Sequence, residues 1–207
     1  EDAKLLHVAN TTYTSYFIKD HVKLVHKNDL LVFNNTKVIP AKLVGKKGLA
    51  TIIINLHKQV DSTHWLAFIK NSKRLKVNDE IIFNEEFKCL VIEKYPSGEI
   101  KLLFNYPNFY EKLHKFGFMP LPPYIKRDSL NNPDDASNYQ SMFAKIEGAV
   151  AAPTASLHFT ESLMNNLTNQ GIQHAVVTLH VGAGTFLPVK VDDITKHHMH
   201  EEFGERP

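Results

Sequence analysis

The feature that most constrains the fold is a crowding of short apolar runs between residues 51 and 104. Thr51–Leu56, His64–Ile69, Glu80–Phe83, Phe87–Ile92 and Ile100–Phe104 follow one another closely. Turn signals separate them: Lys46-Lys47-Gly48 ahead of the first, then Asp61-Ser62 and Pro96-Ser97-Gly98. Five short strands at this spacing, with no helical period between them, predict a small β-barrel or sandwich. We place it as an inserted domain over residues 42–107. A chain of 207 residues, 43% hydrophobic and 22% charged, is long enough to build this unit and a second one around its own core.

The flanks have a different grammar. Before the barrel, Tyr13–Ile18 and Leu30-Leu31-Val32-Phe33 read as strands, the second running into Asn34-Asn35-Thr36. Locally that triplet is an Asx-type turn; at the end of an apolar strand it also fits a ligand loop. After the barrel, Asn108–Phe116 reads as a short helix capped by Asn108, with Phe109, Leu113 and Phe116 on one face and Gly117 to end it. Met119–Arg127 holds three prolines and cannot be helix. It is either a rigid linker or a wall presenting Tyr124 and Arg127 to an anionic ligand. A second helix runs from Glu161 to about Gln170, with Thr160 as N-cap, Leu163, Met164 and Leu167 as its apolar face and Gly171 past its end. The next segment, His174–Val181, is a strand whose alternation puts Val177, Leu179 and Val181 on one face and Val176, Thr178 and His180 on the other. Strand, helix, strand predicts an α/β layer. The expected fold class is thus an α/β domain, residues 1–41 and 108–207, interrupted by an inserted small β-barrel domain.

Three stretches of the second flank place polar groups among small or apolar ones. Gly148–Phe159, GAVAAPTASLHF, has no charged residue yet carries the hydroxyls of Thr154 and Ser156 and the imidazole of His158. Its bland reading is a tightly packed turn. Its functional reading is a backbone that approaches a ligand closely, with His158 able to do acid or base work. Gly182-Ala183-Gly184-Thr185-Phe186 would lie past the carboxyl end of a strand, where ligands sit in α/β sheets. It is not the dinucleotide fingerprint, since Leu187 and Pro188 follow, and it lacks the Lys and Ser/Thr of a P-loop. In His197-His198-Met199-His200-Glu201-Glu202 a metal site is the sharp reading. The H-E-x-x-H arrangement is absent and the chain has one cysteine, so no metal is expected. On an extended segment His198, His200 and Glu202 share a face, which lets Glu202 orient a histidine for proton transfer.

Charge is uneven. Residues 42–76 hold Lys42, Lys46, Lys47, Lys58, Lys70, Lys73, Arg74 and Lys76 against Asp61 alone, a run able to neutralise nucleic-acid phosphates. Acidic residues follow at 79–99, so an ordinary solvated face explains the run equally well, and the net charge of +2 decides nothing. The single Cys89 precludes an internal disulfide framework and fits a reducing compartment. No apolar run reaches about eighteen residues, so no membrane span is expected. The chain begins at Glu1 and stops at Arg206-Pro207, which we read as two cut ends.

Six stretches together resemble the S-adenosylmethionine:tRNA ribosyltransferase-isomerase family of queuosine biosynthesis: LLVFNNTKVIPAKL (30–43), MPLPPYIKR (119–127), YQSMFA (139–144), GAVAAPTASLHF (148–159), TLHVGAGTFLPV (178–189) and HHMHEE (197–202). They occur in the family's order and spacing across nearly the whole chain. Departures are Lys42 where the family often has Arg, Ser156 where Gly is frequent and Asn35 where Asp is common. The family's N-terminal segment and its C-terminal Thr-Thr-Ser-Val-Arg and Asn-Phe-His-Leu-Pro motifs are missing. The resemblance implies an α/β domain interrupted by a β-barrel, in a cytoplasmic monomer. It implies transfer and isomerisation of the ribosyl part of S-adenosylmethionine onto the 7-aminomethyl-7-deazaguanine base at the tRNA wobble position, with S-adenosylmethionine as donor and no metal. On the matching motifs it implies catalytic roles for His158, His180, His200, Glu202 and Tyr139. Thr154, Thr178, Gly182, Gly184, Thr185, Phe186, Tyr124 and Arg127 would hold the substrate. Lys42, Lys46, Lys47, Lys73, Arg74 and Lys76 would hold tRNA phosphates. Two rival readings are a non-catalytic RNA-binding module built on the barrel and a metal-dependent hydrolase using residues 197–202.

Overall fold

The computed structural model describes residues 2–122, 124–126, 132–186, 189, 191–197 and 199–205. The chain opens with an antiparallel hairpin, β1 (Lys4–Ala9) and β2 (Thr12–Phe17). After a 3-10 turn at Ile18–Lys23 come β3 (Leu30–Asn34) and β4 (Thr36–Val38).

The next six strands close a barrel: β5 (Lys42–Lys47), β6 (Ala50–Gln59), β7 (His64–Lys70), β8 (Glu80–Asn84), β9 (Phe87–Lys94) and β10 (Glu99–Leu103), in the order β10-β7-β6-β5-β8-β9. The sequence predicted five strands, and β5 is the correction. Lys46 and Lys47, read as part of a turn, lie in β5; the turn itself is Gly48-Leu49. With three lysines and a glycine in six residues, β5 has almost no apolar signature. Only Leu43 and Gly45 face inward, and pairing along β6 from Lys42↔Asn55 to Lys47↔Ala50 holds the strand.

Period-two alternation fills the interior. Ile52, Ile54 and Leu56 of β6, Trp65 and Ala67 of β7, Ile81, Val91, Ile100 and Leu102 are all buried there, as is Cys89. Helix α1 (Phe109–Phe116) lays Phe109 and Leu113 into the same core, with Phe109 5.0 Å from Phe104 and 5.5 Å from Trp65 between ring centres. Each such buried side chain contributes about 1.5–3 kcal/mol. Asn108 precedes α1 as expected but accepts no capping bond; its amide donates to Glu111 instead.

Beyond the barrel lie α2 (Asp135–Asn138), β11 (Ile146–Ala149), α3 (Glu161–Asn169), β12 (Gln173–His180) and β13 (Phe203–Glu205). Strand β11 pairs in parallel with β4, and β12 in parallel with β3, while β13 runs antiparallel to β12. The segments on either side of the barrel are therefore hydrogen-bonded to each other. Thr160 caps α3 by accepting from Leu163 N, and Leu163, Met164 and Leu167 pack with Ile172, Phe33 and Phe143 in a second core. Among the described residues no helix is long and apolar enough to cross a membrane.

Candidate functional site

Asn34-Asn35-Thr36 is more than a turn. Asn34 Oδ1 accepts from Thr36 N at 3.1 Å, which closes the predicted Asx turn, and also from Leu179 N at 3.1 Å. Its Nδ2 donates to Leu179 O at 2.8 Å. The β3–β12 ladder ends where Asn35 N donates to Val177 O, and the Asn34 carboxamide continues it as a peptide group would. Thr178 Oγ1 donates to Asn35 Oδ1 at 2.7 Å, and Thr36 Oγ1 meets His180 Nδ1 at 2.6 Å. Thr178 and His180 share a face, as alternation requires, and this face fixes the His180 ring. Gly148 is pressed against that ring: an added Cβ would come within 2.6 Å of Cε1, and φ is +154°. At the start of GAVAAPTASLHF the backbone does come close to another group, and that group is the His180 ring.

The Gly-rich loop forms a 3-10 turn, Ala183–Phe186, against β6, with Ala183 in the barrel core cluster. A Cβ on Gly184 would strike His200 Cγ at 2.5 Å, so this glycine makes room for the 199–202 segment. His200 Nε2 lies 2.9 Å from Glu202 Oε1, as the extended-segment reading expects, and Gly182 N donates to Glu202 Oε2 at 2.5 Å. Both carboxylate oxygens of Glu202 are engaged, one by an imidazole and one by a backbone amide.

Of these groups, Gly148, His180, Gly182 and Glu202 line a cavity of about 570 Å³ where the end of β6, α1, β11 and the end of β12 converge. From the barrel it receives His57, Gln59 and Trp65, and from α1 Tyr110, whose hydroxyl donates to Gln59 at 3.0 Å. From the other side it receives Glu147, Gly148, His180, Gly182, Glu202 and Phe203. The His180 and Phe203 rings stack with centres 6.3 Å apart. Burial alone would raise the Glu147 carboxyl; hydrogen bonding by Lys37 and the charge of His114 outweigh it and hold the group below its ordinary value. Asp61, Glu147, Glu201 and Glu202 line the cavity against one lysine, Lys58. That balance favours a cation over an anion.

Sequence reasoning missed His57. Strand β6 bulges between Leu56 and Lys58, so His57 is the extra residue, unpaired with β7. The bulge is invisible in an apolar–polar pattern. The His57 side chain is 12% exposed, and burial pushes its pKa down, against the opposing charges of Glu99 and Glu202. Tyr110 and Glu147 were not singled out either; the strand that carries Glu147 pairs with β4, more than a hundred residues away.

The remaining expected site residues are dispersed. Thr154 lines a second cavity of about 490 Å³ with His21, Phe33, Asn34, Ser156 and Phe159; His158 lines neither cavity. Tyr139 is buried with Val38, Ala149 and Ala152; burial raises its pKa, and a backbone bond at Ala152 opposes this. Phe186 packs on the barrel core, and Thr185 lies in the same 3-10 turn. Tyr124 is exposed. Arg127 and His198 lie outside the described residues. Lys46, Lys47, Lys73, Arg74 and Lys76 gather where β5 turns into β6; Lys47 pairs with Asp79 and donates to Arg74 O at 3.1 Å. The cavity is at the opposite end of β6, nine residues or about 30 Å away. Lys42, paired with Asn55, lies between the two. Among the described residues no group of three or more His, Cys, Asp or Glu is arranged to hold a metal ion.

The family model described as queuosine biosynthesis protein matches residues 1–206. The chain belongs to that family. A curated S-adenosylmethionine:tRNA ribosyltransferase-isomerase of Zymomonas mobilis is 45% identical over 207 residues, 99% of this chain and 60% of the relative. One of the same name from Rickettsia bellii is 41% identical over 220 residues, 98% of this chain and 61% of the relative. The chain thus spans about 60% of the length of the curated relatives it matches. A crystal structure of an S-adenosylmethionine tRNA ribosyltransferase from Thermotoga maritima aligns over 87% of this chain and 51% of its own, at 23% identity and a TM-score of 0.36.

Proposed function

We propose that this chain carries the reaction site and a tRNA-binding surface of an S-adenosylmethionine:tRNA ribosyltransferase-isomerase. The observation that supports this reading is one cavity into which two family motifs, TLHVGAGTF and HHMHEE, bring His180, Gly182 and Glu202 against the barrel. The donor is S-adenosylmethionine, and the acceptor is the 7-aminomethyl-7-deazaguanine base of tRNA. The products are epoxyqueuosine-tRNA, adenine and methionine. The protein acts as a cytoplasmic monomer in which the barrel interrupts an α/β domain, with boundaries at residues 41–42 and 107–108.

The chemistry needs a base for the ribose 5′-methylene proton, which the adjacent sulfonium acidifies, an acid for departing adenine, and deprotonation of the aminomethyl group. His180, oriented by Thr36, and the His200–Glu202 pair are the groups that move these protons. An acid-rich cavity of about 570 Å³ suits a cationic sulfonium in size and in charge. Lys46, Lys73, Arg74 and Lys76 bind phosphates at the far barrel end, so tRNA lies along the barrel with its modified base at the cavity. Tyr124, which is exposed, and Arg127 are further candidates for binding the substrate; Thr154 lines the second cavity, and Tyr139 packs with Val38, Ala149 and Ala152.

The test is adenine release from S-adenosylmethionine in the presence of tRNA bearing the deazaguanine base, with guanine-bearing tRNA as control. Release that requires the modified base is expected. Tight tRNA binding without release, in this chain joined to the remaining segment of the Zymomonas mobilis relative, would leave only an RNA-binding module.

A further inference from the structure

Strand β3 reads Leu30-Leu31-Val32-Phe33-Asn34, an apolar run without alternation. Such a run is the composition of a strand buried on both faces inside a parallel sheet. Its position is different. Among the described residues its sheet has the order β13-β12-β3, so β3 is an edge with one strand neighbour. Gln173 N donates to Asp29 O at 3.2 Å, and Asn35 N donates to Val177 O at 2.9 Å. Backbone groups alternate sides along a strand, so Asp29, Leu31, Phe33 and Asn35 turn theirs to β12. The amides and carbonyls of Leu30 and Val32 point the other way, where among the described residues no strand meets them. Their side chains are exposed, as are Val177 and Leu179 on the same face of β12. The opposite face is packed, with Phe33 in the core beside α3. An open edge is ordinarily blunted by a charge, a proline or a bulge, and Leu30–Asn34 carries none of these. The cavity of about 490 Å³ is lined by four consecutive β3 residues, Leu31 to Asn34, and by Pro153–Ser156. Consecutive side chains point to opposite faces, so a cavity that touches all four runs along the edge.

We propose that the open edge of β3 is an interaction surface that takes one added strand, supplied by the part of the family's chain that this one does not span. Length identifies the occupant. The chain covers 60% of the Zymomonas mobilis relative, which leaves about two-fifths of that relative outside the match. A helix alone would cover the apolar face and leave the Leu30 and Val32 amides bare. A strand satisfies both, with backbone bonds at the edge and apolar contacts beside it. Asn34, whose carboxamide joins β3 to β12, lines the same cavity, so the added strand sits beside that junction. This surface shares no lining residue with the cavity assigned to the reaction and does not depend on that assignment.

The test is amide hydrogen exchange, read residue by residue by NMR, in this chain alone and in this chain joined to the remaining segment of the Zymomonas mobilis relative. The Leu31 and Phe33 amides, bonded to β12, should be slow in both and report that β3 is seated. The Leu30 and Val32 amides should exchange freely in the chain alone and slow by at least about 100-fold in the joined chain. Val32→Pro removes an amide that faces away from β12, and Val32→Lys sets a charge on the edge. In the joined chain each should return Leu30 to its fast exchange while Leu31 and Phe33 stay slow. Equal Leu30 and Val32 exchange in the two proteins would overturn the proposal. Fast amides combined with shifted Leu30 and Val32 methyl signals would also overturn it, since the segment would then cover the face without pairing. Slowing in the chain alone that grows with protein concentration would make the occupant a second copy of this chain, and would overturn it too.

Discussion

The carboxamide of Asn34 makes three hydrogen bonds, two of them to Leu179 and one to Thr36, and so joins segments that lie 145 residues apart. Asn34→Ala strips a donor and an acceptor from this junction and should cost about 1–3 kcal/mol in urea unfolding. Asn34→Asp, which keeps the acceptor alone, should fall between it and the parent chain. Gly148 is constrained in another way. Its φ of +154° and the His180 ring 2.6 Å from a built Cβ leave no place for a side chain. Gly148→Ala should destabilise by about 1–3 kcal/mol and displace His180. Altered His180 ring chemical shifts would register the displacement, and unchanged shifts would contradict it. For His57 the sign follows from its lowered pKa. Below about pH 6.5 the unfolded chain binds a proton that folded His57 does not, so stability falls as pH drops through that window. His21, also lowered by burial, contributes in the same direction. Thermal midpoints between pH 7.5 and 5 should therefore fall in the parent chain and fall less steeply in His57→Gln. An identical slope in the two would mean that His57 is not held neutral.

At the scale of elements, helix α1 ties the barrel to the cavity. It buries Phe109 and Leu113 on one face while Tyr110 lines the cavity with the other. Phe109→Ala should cost about 3–5 kcal/mol. Calorimetry would check this, and a loss below about 1 kcal/mol would contradict the packing described. Elements with strong local signals were legible in the sequence: α3 with its Thr160 cap and the apolar barrel strands. β5 was not, because its stability comes from pairing with β6 and β8 rather than from its own lysine-rich composition. The parallel pairings β3–β12 and β4–β11 were equally hidden, since a ladder between residues 30 and 173 leaves no local trace. In the site, the His200–Glu202 pair followed from a period of two along an extended segment, and Gly148 from a run of small residues. His57 did not, because a bulge defeats that same period.

For the whole molecule, the geometry separates two charges along one strand. A basic cluster occupies the Ala50 end of β6, and an acid-rich cavity occupies the Gln59 end. A polyanion and a small cation would be sorted to opposite ends, about 30 Å apart. Replacing Lys73, Arg74 and Lys76 with alanine should weaken tRNA binding and reduce its salt slope by about 0.7–0.9 per lost phosphate contact, while affinity for S-adenosylmethionine stays unchanged. Lys47→Ala should matter less, since Asp79 already engages that ammonium. The central claim is that the junction cavity is where the ribosyl group is transferred. Adenine release, measured with modified-base tRNA for the chain joined to the remaining segment of the Zymomonas mobilis relative, tests it most directly. His180→Ala and Glu202→Gln should each lower the rate by at least about 100-fold, the scale of lost general acid–base catalysis. Full turnover in both variants would place the reaction elsewhere.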